Sequence, residues 1–323
     1  MPATTPPRYA WLNGRFVPWD QCVVHARSQG AFWGANVFEG IRGYWDETDH
    51  QLLLFRMHDH LRRLRQSMKV VRMVTDVGDD EIIENSLELL RRNDFRTDVH
   101  LCVVVYYDLD PAFDPMRPTD AVGVHLTAVE MPRSPAYARG AAACVSSWRR
   151  LSDDTMPPRV KTGANYHNSR LAQHEALRNG YDTALLLNQR GSIAEGPGSC
   201  LVMVKDGTLV TPPGSSGVLE GITVDTAEAL AADELDMPLV RREIDRTELY
   251  LADEAFMCGT LSEIQPLVSL DRLTIGDGRP GPVTLRLQAL YEDAARRGRG
   301  SAGTKNTPHW TLPVYPAVEM APQ

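Results

Sequence analysis

Near its middle the chain carries a segment that neither a helix nor a strand crosses easily. Residues 131–140 read MPRSPAYARG, with two prolines and a closing glycine. Each proline fixes φ and removes a backbone donor, so regular pairing stops there. The stretches on either side are each long enough to bury a core of their own. The expected organisation is an α+β chain in two domains. A small N-terminal α/β domain covers 1–130, a linker 131–140, a larger β-rich domain 141–300 and a tail 301–323.

Apolar spacing predicts the elements inside each part. Residues 51–55 (QLLLF) read as a short strand. Leu61, Leu64, Met68 and Val71 then recur at helical spacing behind Asp59, a candidate N-cap. A second helix is predicted over 79–92 through Ile82, Ile83, Leu87 and Leu90. β-rich runs at 99–107 and 121–130 follow, separated by a proline-bearing loop of a length often given to function. Past the linker, a strand is expected over 141–148 and a helix over 165–179, closed by Gly180. The continuous apolar runs 183–187 and 200–204 read as buried strands, and Asp206-Gly207 signals a hairpin. Further helices are predicted from Thr223 and over 282–297, and the Gly/Pro-rich tail from Gly298 is expected to lie outside regular structure.

Composition narrows the chemistry. No apolar run approaches the roughly 20 residues that span a bilayer, and the first seven residues have no apolar signal core, so a cytoplasmic protein is expected. A formal charge of −8 with no basic block argues against nucleic acid as a partner. The five cysteines are scattered without a CxxC pair, and the histidines lack metal-ligand spacing, so no metal is expected. Lysine is scarce: only Lys69, Lys161, Lys205 and Lys305 stand against thirty arginines. Any reaction that needs a lysine amine has four candidates.

Three segments of the second part stand out. RVKTGANY (159–166) sets Lys161 among small residues before a helix. AEGPG (194–198) puts a carboxylate before a tight turn. LEGIT (219–223) brings a glycine and a hydroxyl to a helix start, where free N–H groups and the helix dipole favour a phosphate. A pyridoxal phosphate (PLP) site needs these parts together: an amine to hold the cofactor and move a proton, a carboxylate for the pyridine nitrogen, and donors for the phosphate.

With these segments in hand, the chain resembles the class IV (fold-type IV) PLP-dependent aminotransferases, branched-chain amino-acid aminotransferases above all. The likeness runs through WLNGRFVPW (11–19), FWGANVFEGIRGY (32–44), HLRRL (60–64) and VSSWRR (145–150), then the three segments above. It continues in LYLADEAFMCGTLSEIQP (249–266) and GPVTLRLQ (281–288). The resemblance implies a Schiff-base lysine at Lys161 and a tyrosine on the cofactor's phenolic oxygen at Tyr166. It implies a partner of the pyridine nitrogen at Glu195 and phosphate ligands at Arg63, Ile222, Thr223 and Thr260. Phe38, Gly40, Arg42 and the Thr260-Leu261 turn would meet the substrate. The implied reaction moves an amino group from a branched-chain-type amino donor to a 2-oxo acid. The family is at least dimeric and holds its cofactor between domains.

Two stretches depart from the pattern. Relatives carry a Tyr-x-Arg pair for the substrate carboxylate where an alignment anchored on Arg91-Arg92-Asn93 puts Val99-His100-Leu101; Arg42, His100 and Arg117 are the candidates to replace it. After Glu195, relatives continue Gly-x-Gly-Glu-Asn where this chain has Gly196-Pro197-Gly198-Ser199-Cys200. These departures keep two other reactions open, an (R)-selective amine or D-amino-acid transaminase and a PLP lyase of the aminodeoxychorismate type.

Overall fold

The computed structural model describes residues 6–114, 116–297 and 310–316. The chain divides into two compact units, one of residues 1–132 and 293–323, the other of residues 133–292.

The first unit contains β1 (Tyr9–Leu12), β2 (Arg15–Pro18), α1 (Gln29–Trp33), β3 (Asn36–Asp46), β4 (Gln51–Phe55), α2 (Met57–Val70), α3 (Asp79–Asn93), β5 (Val99–Tyr107) and β6 (Val122–Glu130). Its seven-stranded sheet has the order Thr311–Pro313, β4, β3, β5, β6, β1, β2, with every pairing antiparallel. Part of the tail is therefore ordered against expectation, since Thr311–Pro313 adds an edge strand to β4. Of the tail, residues 301–309 and 317–323 lie outside the described residues.

Helix α2 buries Met57, His60, Leu61, Leu64, Ser67 and Met68, residues three or four apart that form one face. It starts before Asp59 rather than after it. Arg56 takes a left-handed φ of 57° and its Nε donates to Asp59 at 2.5 Å. Asp59 thus sits in the first turn, where a carboxylate offsets the helix dipole.

Register decides what each sheet face carries. Arg42 pairs with His100, Gly40 with Cys102 and Phe38 with Val104, so these six share a face. Glu39 and Ile41 share the opposite face with Val103 and Leu101. That second face lies under α2, whose Arg63 and His60 reach Glu39.

The second unit contains α4 (Ala136–Arg139), β7 (Ala141–Arg149), α5 (Gly163–Arg178), β8 (Thr183–Leu187), β9 (Cys200–Lys205), β10 (Thr208–Thr211), α6 (Ile222–Leu235), β11 (Leu239–Arg241), α7 (Arg246–Tyr250), β12 (Glu254–Gly259), β13 (Glu263–Leu270), β14 (Leu273–Thr274) and α8 (Pro282–Arg297) as far as residue 292. Its sheet runs β11, β10, β9, β12, β13, β7, β8, with β14 beside β13. The pairs β10–β11, β13–β7 and β7–β8 are parallel and the others antiparallel. Asp206 and Gly207 both take positive φ, 48° and 74°, the geometry of the tight hairpin turn between β9 and β10. Leu185, Leu201, Met203, Met257 and Leu267 form the centre of the core. Ala172 and Ala176 let α5 lie close on Cys144, Ala184 and Leu186. Burying each large aliphatic side chain contributes about 1.5–3 kcal/mol.

Candidate active site

Lys161 sits one residue before the N-cap of α5. The preceding strand, β7, ends at Arg149, and turns fill the interval. Pro157 and Pro158 keep a strand from resuming before Lys161, since neither can donate to a ladder. Tyr166, on the first turns of α5, is brought back over the lysine. The Lys161 Nζ donates to Tyr166 Oη at 2.6 Å and lies 5.0 Å from its ring centre.

Glu195 lies beside β8, with its backbone carbonyl accepting from Leu186 N–H. Its side chain is buried, and both oxygens are fixed by donors. Arg150 Nη2 reaches Oε1 at 2.7 Å, and Leu219 N–H donates to Oε2 at 3.0 Å. Burial pushes the Glu195 carboxyl above its ordinary range. The Arg150 charge, the Leu219 N–H and the Lys161 charge pull it down without overcoming burial. Arg150 is itself buried, and its Nε donates to Gly217 O at 3.3 Å. Leu219 is held on its other side by Cys200, whose thiol donates to the Leu219 carbonyl at 3.2 Å.

The Leu219–Gly221 stretch leads into α6, whose N-cap is Gly221 and whose first N–H groups receive no side-chain cap. A Cβ at Gly221 would stand 2.7 Å from Cys200 Sγ, so only glycine fits without displacement. Ile222 and Thr223 open the helix, with Thr223 buried. Thr260 and Leu261 lie in the turn between β12 and β13.

In the first unit, Arg63 grips Glu39 with Nε and Nη2, each at 2.7 Å. His60 Nδ1 adds a third contact at 2.7 Å. Burial alone would raise the Glu39 carboxyl, but Arg63 and then His60 outweigh it and hold the carboxyl at about 2.

Phe38, Gly40 and Arg42 all sit on β3, on the face away from α2. Val99 and Leu101 are fully buried on the α2 face. The residues beside Arg42 on its own face are His100 and Cys102. Gly40 makes room for them, since a Cβ there would stand 2.4 Å from His100 Nε2.

The model of the class IV amino-transferase family matches residues 36–270. The chain belongs to the class IV aminotransferases. It is 36% identical over 310 residues to a probable branched-chain-amino-acid aminotransferase of Aquifex aeolicus, an alignment covering 95% of this chain and 97% of the relative. It also resembles a solved branched-chain amino acid aminotransferase of Thermobaculum terrenum in PLP form, with TM-score 0.87 and 41% identity, covering 96% of this chain and 99% of that one. The Escherichia coli branched-chain enzyme gives TM-score 0.88 at 35% identity, covering 96% and 100%.

For a class IV aminotransferase, the second unit gathers Lys161, Tyr166, Glu195 and the α6 N-terminus from three separate segments. Sequence reasoning missed Arg150 and the Leu219 N–H as holders of Glu195. Arg150 ends the VSSWRR motif, and its conspicuous arginine pair was the available signal. The backbone donor left none.

Proposed function

We propose that this chain is a PLP-dependent aminotransferase that exchanges an amino group between a branched-chain-type amino acid and a 2-oxo acid. The observation that carries the reading is Lys161 paired at 2.6 Å with Tyr166 in the same unit as a buried, doubly anchored Glu195. The donor set fits the cofactor. A buried carboxylate whose charge is disfavoured by its surroundings gains from a cationic ring N–H as partner. Arg150 Nη1 is buried without a hydrogen-bond partner, leaving a donor available. The uncapped start of α6, with the Thr223 hydroxyl, suits a phosphate.

When bound, PLP supplies the electron sink for carbanion chemistry. The chain's residues do the rest. Lys161 would hold the cofactor, then take the proton from the substrate's α-carbon and deliver it to the cofactor carbon that had carried the aldehyde. Tyr166 stays within hydrogen-bond reach of Lys161 and orients the phenolic edge. Glu195 would accept from the ring nitrogen, and Arg150 and Leu219 hold its carboxylate in place. Ile222, Thr223 and Thr260 are the phosphate ligands we propose in the second unit, and Arg63 the one we propose in the first. Phe38, Gly40, Arg42 and the Leu261 turn meet the substrate. Val99-His100-Leu101 stands where relatives use Tyr-x-Arg, and His100 pairs with Arg42 on β3. We place the enzyme in the cytoplasm as a homodimer; among the described residues no helix is long and apolar enough to cross a membrane.

A donor panel tests the substrate. Leucine, isoleucine and valine are expected to be turned over with 2-oxoglutarate. Turnover of a carboxylate-free (R)-amine without branched-chain activity overturns the assignment. A lyase would release product without accumulating the aminated cofactor in a single turnover.

A further inference from the structure

The turn that carries Thr260 and Leu261 is built on a strained residue. Gly259 pairs with Glu263 across the β12–β13 ladder, leaving three residues in the turn. Glu263 closes it with φ of 52°, in the left-handed region that glycine or asparagine usually supplies. Its side chain is fully buried. A long ionised side chain in that backbone conformation and burial persists only when its surroundings over-determine it.

Arg133 does so. Its Nε meets Glu263 Oε2 at 2.5 Å and its Nη2 meets Oε1 at 3.0 Å, a two-pronged grip. The same guanidinium pairs with Glu292 on α8 and stacks 4.2 Å over the Tyr137 ring. Gln288, one turn earlier on α8, donates to Tyr137 O at 2.9 Å and to Ile264 O at 2.8 Å. Segment 133–137, α8 and the start of β13 are therefore tied at one point, next to the turn. None of this is needed to close a hairpin, which a glycine at 263 would achieve unaided.

We infer that Arg133 is a positioning residue that locks the Thr260–Leu261 turn in the shape that receives the cofactor phosphate and the substrate carboxylate. The inference rests on the reading of Thr260 and Leu261 given above. Arg133 touches neither ligand; it acts through Glu263 on the backbone of the turn. Its loss loosens binding and leaves the proton transfer at Lys161 largely intact.

The test compares Arg133→Met, Arg133→Lys, Glu263→Gly and the double variant Arg133→Met/Glu263→Gly in the holoenzyme. Three quantities are read: hydrogen exchange at the amides of residues 260–263, PLP affinity, and kcat and KM separately. Arg133→Met should speed exchange, weaken PLP and raise KM by about tenfold, with kcat at saturation changed by less than about threefold. Arg133→Lys keeps the charge and loses the fork, so it should fall between; it also covers the case in which the methionine variant does not fold. Adding Glu263→Gly should restore exchange and affinity, because glycine takes this φ without help. Unchanged exchange in Arg133→Met and Arg133→Lys, or failure of glycine to restore it, overturns the clamp. Thr260→Val separates the two claims: unchanged PLP affinity in that variant overturns the reading of Thr260 and leaves the exchange result to judge Arg133.

Discussion

Replacing Arg150 by methionine strips the guanidinium from a carboxylate that has almost no water to turn to. Glu195 and Arg150 are each 4% exposed, and their contact is 2.7 Å. Removing one member of such a pair leaves an uncompensated buried charge, which costs about 3–5 kcal/mol. The cost has a pH dependence whose sign follows from Glu195. Its carboxyl already lies above the ordinary 4.5 because burial dominates. A carboxyl raised in the folded state favours folding below its unfolded pKa, and that contribution is lost as pH rises through the folded value. Arg150 is the strongest influence opposing burial, so its loss raises the folded value further and extends the decline to higher pH. Arg150→Met should therefore cost little near pH 4.5 and approach its full value at pH 8. Urea unfolding of the cofactor-free protein over that range measures it. Glu195→Gln, which strands the arginine instead, should also destabilise. The double variant strands no charge and should be more stable than either single variant, a coupling of at least about 2 kcal/mol. Additive single effects, or a pH-independent loss in Arg150→Met, refute the reasoning.

Other outcomes follow from single contacts. Glu39, held at about 2 against an ordinary 4.5, contributes stability that is fully present above 4.5 and lost as pH falls towards 2. The contribution is on the order of 3 kcal/mol, and Glu39→Gln should flatten the acid limb of a urea-stability profile. Gly221→Ala drives a methyl to 2.7 Å from Cys200 Sγ and should weaken PLP affinity about tenfold, with Cys200→Ala in the same chain restoring most of it. Lys161→Ala should keep the thermal transition within a few degrees and abolish turnover.

Much of the fold could be read from pattern because the relevant physics is local. The face of α2 follows from residues three and four apart, and the Asp206-Gly207 turn from two residues that tolerate positive φ. Lys161, Glu195 and the α6 start stood out because a lysine-poor chain puts one lysine, one carboxylate and one glycine-led helix start in order. What could not be read depends on pairing. Alternation alone does not say which face of β5 meets the core, and a one-residue change of register exchanges Val99 and Leu101 for His100 and Cys102. The Arg150–Glu195 contact joins residues 45 positions apart, through two segments whose approach only the folded sheet defines. The strand Thr311–Pro313 is three residues long, too short for any period, and gains its order from the free edge of β4.

The account depends most on Lys161. The purified protein should show a visible cofactor band, and borohydride should bleach it and leave PLP covalently fixed. Peptide mapping is expected to find the label on the peptide containing Lys161. Absence of the band, or a label on Lys69, Lys205 or Lys305, would contradict the assignment of both the cofactor site and the chemistry built on it.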